Sequence, residues 1–236
     1  MKKIETFNND LSYIRMKELF ISFKYLQKTK KNNIDQILDK KFSRVINNQN
    51  KKFYFSSARM GIYFFLKNLP KDNRNEVIVT AFTCSVLVNA VIRANYKPIF
   101  CDIDKTNFST CLYDLEKKIT NKTKAIIIQH TFGYMANIDD VFVKKIKKNK
   151  IFIIEDCALT ISSKNKINFS GSFGDAAVYS FDRSKPISAL IGGCLVINNS
   201  SLIYDFENFY KNISTLVKKK QKHILYQILI DKDRKS

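Results

Sequence analysis

Between residues 76 and 156, short runs rich in valine and isoleucine alternate with longer segments of helical periodicity. The runs 76–79, 98–103, 124–130 and 151–154 predict strands, and the segments 85–94, 112–119 and 138–148 predict helices. Strands separated by helices of about ten residues form parallel pairs, because the connecting helix must cross a face of the sheet. The sequence therefore predicts an α/β fold, with a mostly parallel sheet sandwiched by helices.

The flanking segments extend this pattern unevenly. Before the alternation, Ser56 and Ser57 precede a predicted helix over 59–69 that Pro70 ends. After it, the runs 176–181 and 194–197 predict two more strands with no long helix between them. The first 50 residues contain a predicted amphipathic helix over 11–26 and a polar, weakly patterned stretch over 28–50. Neither part carries a chemical motif.

Composition excludes several classes of protein. The formal charge is +20, but 34 of the 41 basic residues are lysines and only seven are the arginines that usually read phosphates and bases. A lysine-rich solvated surface explains the charge better than a nucleic-acid partner. No apolar window is long enough to span a membrane, and the first residues turn polar at once, so we expect a cytoplasmic protein. Five cysteines without C-x-x-C spacing predict neither disulfides nor a metal site.

Two residues that could carry chemistry follow predicted strands. Asp156 closes the apolar run that starts at Ile151, and a carboxylate in such a place needs a cationic partner. A protonated pyridine nitrogen is one such partner, although a helix N-cap or an ordinary buried ion pair is the better explanation of Asp156 taken alone. Lys185 follows the strand 176–181 and precedes Gly192 and Gly193. A desolvated lysine is nucleophilic, whereas a surface lysine is the plain alternative.

Two further groups fit a phosphate. Ser57, Ala58 and Arg59 open the predicted helix 59–69, where backbone N–H groups and the helix dipole favour an anion. Ser180 ends a strand and could donate its hydroxyl to the same phosphate. Each serine is also explained by capping or by satisfying a strand end. Since ligands gather at the carboxyl ends of parallel strands, we expect all of these residues to converge at one edge of the sheet.

Taken in order, these segments resemble the DegT/DnrJ/StrS-type nucleotide-sugar aminotransferase family, within the aspartate-aminotransferase-like fold of enzymes that use pyridoxal 5′-phosphate (PLP). The resemblance covers roughly residues 53–200. The matching segments are Ser57–Ile62, Glu76–Thr83, Pro98–Asp104, Thr123–Ile127, Ile154–Ala158, Gly171–Ala177, Ser180–Lys185 and Gly192–Gly193.

The resemblance implies a role for each candidate residue. Lys185 is expected to bond the cofactor covalently and to move the proton of the reaction, and Asp156 to hold the pyridine nitrogen. The phosphate is expected on Ser57, on the backbone of Ala58 and Arg59, and on Ser180. Cys84 stands where the family often has an aromatic ring that stacks on the cofactor. Leu159 and Asp182 are further departures, and His130 is expected to be structural.

The implied reaction transfers an amino group, usually from glutamate, to a keto sugar of a nucleotide-sugar in surface polysaccharide or lipopolysaccharide biosynthesis. The implied assembly is a homodimer. Related PLP-dependent sugar dehydratases typically have histidine in place of this lysine. Because Lys185 is present, a dehydratase is the less favoured function. The resemblance divides the chain into an N-terminal helical segment (1–50), a PLP-binding large domain (51–205) and the start of a link (206–236) to a small C-terminal domain that is missing. The alternative is a truncated, catalytically incompetent fragment with a structural or interaction role.

Overall fold

The computed structural model describes residues 31–164, 168–187, 189 and 191–211. The helix predicted over 11–26 and the lysine run 218–220 lie outside these residues. A seven-stranded sheet forms the centre of the described structure, with the strand order β1-β7-β6-β5-β4-β2-β3. Its strands are β1 (Lys51–Phe55), β2 (Glu76–Thr80), β3 (Lys97–Cys101), β4 (Thr123–Gln129), β5 (Phe152–Asp156), β6 (Ala176–Ser180) and β7 (Gly193–Ile197).

The sheet is mostly parallel. Strands β3, β2, β4, β5 and β6 run parallel to their neighbours, whereas β7 pairs antiparallel with both β6 and β1. The helices are α1 (Lys31–Ile46), α2 (Ala58–Lys67), α3 (Ser85–Arg93), α4 (Leu112–Lys118) and α5 (Asp140–Lys148). The α/β fold with a mostly parallel sheet between helices, predicted from the sequence, is confirmed.

Helices cover both faces of the sheet, which is why the central strands are apolar throughout rather than alternating. Every residue of β2 and β4 is buried. On one face, Leu115 of α4 and Phe142 of α5 join a core with Ile128 and Ile153. On the other face, α2 packs on β7, where Gly61 allows a close approach to the Leu195 side chain.

Two elements were not predicted. Helix α1 lies in the stretch judged polar and weakly patterned, and β1 is a five-residue strand that begins with two lysines. Phe42 of α1 is 4% exposed and makes edge-to-face contacts with Tyr179 and Phe181, at centroid distances of 5.3 and 5.2 Å. These contacts span about 140 residues of chain, so local periodicity does not reveal them.

Beyond Asn198, the described part of a second compact unit comprises residues 199–211. Asn199 opens a 3₁₀ turn over Ser200–Leu202, and its side chain accepts a hydrogen bond from the Ser201 amide. Residues 203–211 are helical. The domain limits predicted from the sequence stay predictions. None of the helices in the described residues has the length and apolar character needed to cross a membrane.

Replacing Phe42 with alanine tests the attachment of α1 to the sheet. The substitution removes a buried ring that packs on two others, so we expect a loss of about 3–5 kcal/mol in the free energy of unfolding. The matched control is Val45→Ala, because the Val45 side chain on the same helix is 44% exposed; its expected effect is within about 0.5 kcal/mol. Urea denaturation followed by circular dichroism measures both. Equal effects of the two substitutions contradict the assigned packing.

Candidate active site

Two carboxylates end strand β5, and they point in opposite directions. Successive side chains of a strand alternate between the faces of a sheet, so Glu155 and Asp156 lie on opposite faces. Glu155 shares the face of Ile153, which α4 and α5 cover. Asp156 shares the other face with Ile154. Both are buried, but only Glu155 is fully provided with hydrogen-bond donors.

Glu155 accepts four hydrogen bonds. Oε1 accepts from the backbone amides of Phe173 and Gly174, each at 2.8 Å. Oε2 accepts from the Gly171 amide at 2.7 Å and pairs with His130 Nε2 at 3.0 Å. Donors on every side make this buried charge tolerable and tie the 171–174 turn to the end of β5.

The same turn explains the glycines in its sequence. Gly171 has a φ of +88°, and a Cβ there would collide with the hydroxyl of Tyr179. A Cβ on Gly174 would lie 2.9 Å from the carbonyl oxygen of Ile153. Asp175 completes the junction by accepting a hydrogen bond from the Ile153 amide at 2.8 Å. The segment Gly171–Asp175 therefore serves to hold Glu155 and the end of β5 in place.

Asp156 is in a different situation. Its carboxylate accepts one hydrogen bond from the Ala158 amide at 2.9 Å. Burial raises the pKa of the Asp156 carboxyl, while the Ala158 amide and the positive charge of Lys185 act in the opposite direction. Burial dominates, so within the described structure this carboxylate has too few donors to offset its desolvation.

A cavity of about 240 Å³ opens beside Asp156. Lys185 contributes to its wall, and the Lys185 amine makes no hydrogen bond or ion pair with the residues that the structure describes. The remaining lining residues are Phe82, Thr83, Cys84, Gln129, His130, Thr131, Phe132, Ala158 and Leu159. The structure thus brings the predicted residues Asp156, Lys185 and Cys84 together.

The residues predicted to bind phosphate converge around the start of β7. Ser180 is the register partner of Gly193 in the sheet, and Ser57 forms an isolated bridge with Gly192. A Cβ on Gly193 would collide with the backbone of Ser57 and Ala58. Only glycine allows this approach, which places the first turn of α2 beside Ser180.

The start of α2 keeps polar groups available. Ser57 is the N-cap residue, yet its hydroxyl makes no capping hydrogen bond. The first helical amides, those of Ala58 and Arg59, have no acceptor within the helix. The Arg59 side chain is exposed and lies along a groove between α2 and α3 with Met60 and Arg93. The described wall of the Asp156 cavity does not include Ser57, Ala58, Arg59 or Ser180, so the two groups of predicted residues form neighbouring clusters.

Several lining residues were not predicted. Gln129 ends β4, and its side-chain amide donates to the carbonyl of Phe82 and to the Thr131 hydroxyl, each at 3.0 Å. A polar residue that closes an apolar strand is the signal that could have found it. Phe82 and Phe132 are 54% and 60% exposed at the cavity, and no local pattern announces them.

His130, Glu155 and Cys157 are close enough together to suggest a metal site, since their ligand atoms lie within 4.8 Å of one another. The hydrogen bonds argue against that use. Both oxygens of Glu155 are occupied by backbone donors and His130, and His130 Nδ1 accepts from the Ala136 amide at 3.1 Å. Burial also raises the pKa of the Cys157 thiol well above its usual value, which disfavours the thiolate that metals bind.

Comparison with known proteins agrees with this geometry. Residues 27–228 match the model of the DegT/DnrJ/EryC1/StrS aminotransferase family. The chain belongs to this family. The family predicted from the sequence is therefore confirmed.

The chain matches only part of the length of its individual relatives. GDP-perosamine synthase of Escherichia coli O157:H7 is 36% identical over 150 residues, which are 64% of this chain and 41% of that protein. The Vibrio cholerae GDP-perosamine synthase is 29% identical over 72% of this chain and 46% of its own length. The chain thus spans less than half the length of these curated relatives.

Solved structures of the family superpose on the same region. Helicobacter pylori PseC, an aminotransferase of pseudaminic acid biosynthesis, is 25% identical, with a TM-score of 0.65 over 73% of this chain and 46% of that one. The PLP form of the putative sugar aminotransferase Spr1654 from Streptococcus pneumoniae is 25% identical, with a TM-score of 0.70 over 82% of this chain and 55% of that one.

The residues present in this member of the family fit PLP. A pyridinium ring supplies the cation that the underprovided carboxylate of Asp156 needs. The Ser57 hydroxyl makes no capping hydrogen bond, and the amides of Ala58 and Arg59 have no acceptor within the helix, so this helix start suits a phosphate. The amine of Lys185 lies in the wall of the cavity beside Asp156. Cys84 is exposed and is the N-cap residue of α3, so a thiol lies where the family often has a ring.

Glu155→Gln tests the hydrogen bonding behind the site. The new amide group turns its own N–H bonds toward donors that previously faced an oxygen, so we expect a loss of about 3 kcal/mol in the free energy of unfolding. Glu116→Gln is the control, because Glu116 pairs with Lys145 at 3.1 Å on the surface with 41% of its side chain exposed. Urea denaturation compares the two variants. A loss no larger in E155Q than in E116Q rules out the role assigned to Glu155.

Proposed function

We propose that this chain is the cofactor-binding domain of a PLP-dependent aminotransferase that acts on a keto sugar of a nucleotide-sugar. One observation carries the proposal: Asp156, a buried carboxylate with too few donors among the described residues, shares a cavity with the Lys185 amine, which makes no hydrogen bond or ion pair with those residues. Membership of the aminotransferase family supports it. The GDP-perosamine synthases and PseC, which belong to sugar biosynthesis by their names, support the class of substrate.

Two clusters of residues bind opposite ends of the cofactor in this proposal. Asp156 holds the pyridine nitrogen and keeps it protonated, because the buried carboxylate gains most from a cation. Ser57, Ser180 and the amides of Ala58 and Arg59 hold the phosphate at the start of α2. When bound, PLP supplies a ring that withdraws electrons from the carbon atom that exchanges its amino group.

Lys185 and Asp156 are the proposed catalytic residues. Lys185 is half-buried, and its amine would hold PLP covalently. The same amine would carry the proton to and from the substrate carbon. Phe82 and Phe132 at the mouth exclude water from one side, and Cys84 leaves more room there than an aromatic ring does.

The rest of the proposal follows from the family and the composition. The amino donor is glutamate, the product enters a surface polysaccharide such as lipopolysaccharide, and the protein works as a cytoplasmic homodimer. A formal charge of +20 suits a substrate that carries two phosphates. The second candidate is a catalytically incompetent large-domain fragment with a structural or interaction role.

Covalent labelling identifies the reactive lysine. We expect purified protein mixed with PLP and reduced with borohydride to carry the label on Lys185, and Lys185→Ala to lose it. Lys148→Ala, which removes an exposed lysine of α5, keeps the label and serves as the control. Peptide mass spectrometry locates the modified residue. Equal labelling of K185A and the parent protein counts against the assignment.

A separate sample, loaded with PLP but not reduced, then separates the two candidate functions. Transfer of nitrogen from glutamate to a UDP-, GDP- or dTDP-linked keto sugar supports the enzyme. Specific labelling of Lys185 without transfer to any of these sugars favours the incompetent fragment.

Asp156→Asn tests how much the buried carboxylate destabilises the cofactor-free protein and how much it contributes to PLP binding. Burial raises the pKa of the Asp156 carboxyl in the folded protein. The ionised carboxylate therefore destabilises the cofactor-free protein at pH values above this pKa. The destabilisation disappears as the pH falls through the pKa and the carboxyl becomes protonated. We therefore expect cofactor-free D156N to be more stable than the parent near neutral pH, with a difference that shrinks in mild acid. Its Kd for PLP rises about tenfold or more, equivalent to about 1.4 kcal/mol.

Urea denaturation at neutral and mildly acidic pH, together with PLP titration, measures the two effects of D156N. Asp205→Asn, at an exposed position, is the control for both. A variant that loses stability at neutral pH, or that binds PLP as tightly as the parent, contradicts the role given to Asp156.

A further inference from the structure

The imidazole of His130 is fully buried directly after β4, and His130 contributes to the wall of the cavity beside Asp156. Its Nε2 lies 3.0 Å from Oε2 of Glu155, and its Nδ1 lies 3.1 Å from the backbone nitrogen of Ala136. The ring of Phe173 packs edge-on against it at a centroid distance of 5.9 Å. Both ring nitrogens are thus used in directed hydrogen bonds.

These contacts determine where the imidazole carries its hydrogen. A backbone amide can only donate, so Nδ1 must be an unprotonated acceptor toward Ala136. Glu155 accepts at Oε2, so Nε2 carries the hydrogen. The other titratable groups near the ring are Asp156 at the end of β5, Cys157 directly after it, and Lys185 after β6. The Nδ1 atom is bonded by the Ala136 amide and by none of these groups.

The Ala136 contact ends a turn that borders the cavity. Residues 131–136 follow β4, and Phe132 and Gly133 both have left-handed backbones, with φ of +52° and +87°. For phenylalanine this conformation costs on the order of 1 kcal/mol. Thr131 is fixed by a hydrogen bond from its amide to the Ser109 hydroxyl at 3.0 Å. At the far end of the turn, the Ala136 amide donates to His130 Nδ1 at 3.1 Å, and Asn107 Nδ2 donates to the Met135 carbonyl at 3.2 Å.

We infer that His130 is a positioning residue whose neutral Nε2–H form links Glu155 to Ala136 and thereby holds the 131–136 turn, with Phe132, as a wall of the Asp156 cavity. The tautomer and the hold on Ala136 follow from the geometry alone. The consequence for ligand binding rests on the proposed PLP function.

Nitrogen NMR reads the tautomer directly. The chain has two histidines, His130 and His223, so His223→Gln protein labelled with ¹⁵N-histidine reports His130 alone. At neutral pH we expect one protonated nitrogen, Nε2, and one unprotonated nitrogen, Nδ1. A hydrogen on Nδ1, whether alone or together with one on Nε2, overturns the inference.

Two matched substitutions test the hold on the turn. In His130→Asn, the side-chain oxygen occupies the place of Nδ1 and still accepts from Ala136. In His130→Gln, the amide reaches toward Glu155 but leaves Ala136 without its acceptor. We expect hydrogen exchange of the Ala136 amide to stay within about threefold of the parent in H130N and to rise about tenfold or more in H130Q.

PLP titration adds the functional readout. H130N keeps the Kd of the parent within about threefold, and H130Q weakens it about tenfold, or about 1.4 kcal/mol. If the two variants behave equally, in Ala136 exchange or in PLP affinity, the positioning role is overturned. Both variants remove the imidazole ring, so a ring that only fills space would affect them equally. If the parent protein binds no PLP, the proposed function fails, while the tautomer and Ala136 exchange still decide the role of His130.

Discussion

The organisation of this protein depends on two adjacent carboxylates that a strand must send to opposite faces of a sheet. Glu155 turns toward α4 and α5, where three backbone amides and His130 surround it. Asp156 turns toward the cavity and accepts from the Ala158 amide. The fold itself supplies hydrogen-bond donors to both oxygens of Glu155. Asp156 has fewer donors in the described structure, so a bound cation would add to the effect of Lys185 there. In the proposed function, one strand end thus serves both the support of the site and its affinity for a ligand.

The sequence predicts the fold well because its central elements are locally encoded. Apolar runs such as β4 predict strands, and amphipathic segments such as α5 predict helices, from local sequence alone. Helix α1 was missed because its apolar side is small and meets its partners, Tyr179 and Phe181, about 140 residues away. Strand β1 was missed because it exists only through antiparallel pairing with β7.

The sequence predicts which residues form the site, but it does not predict the hydrogen bonds and contacts that hold them in place. Asp156 and Lys185 stood out because each follows a strand end, and the shared edge of a parallel sheet brings such residues together. The donors around Glu155 come from the 171–174 turn, and no spacing rule pairs a strand end with that turn. The Gly193 contact with Ala58 is likewise invisible until β7 is placed beside β1.

The energetics of Asp156 bear on the choice between an enzyme and an inert fragment. A protein with a purely structural role gains nothing from a buried carboxylate that lacks donors, and asparagine at this position relieves the penalty at little cost in volume. Glu155, one residue earlier, shows that the same strand end can satisfy a charge completely when the fold requires one. Within the part of the chain that the structure describes, Asp156 has a single donor and the Lys185 amine has no hydrogen-bond partner, an arrangement that cation binding explains and stability does not. This asymmetry favours the enzyme.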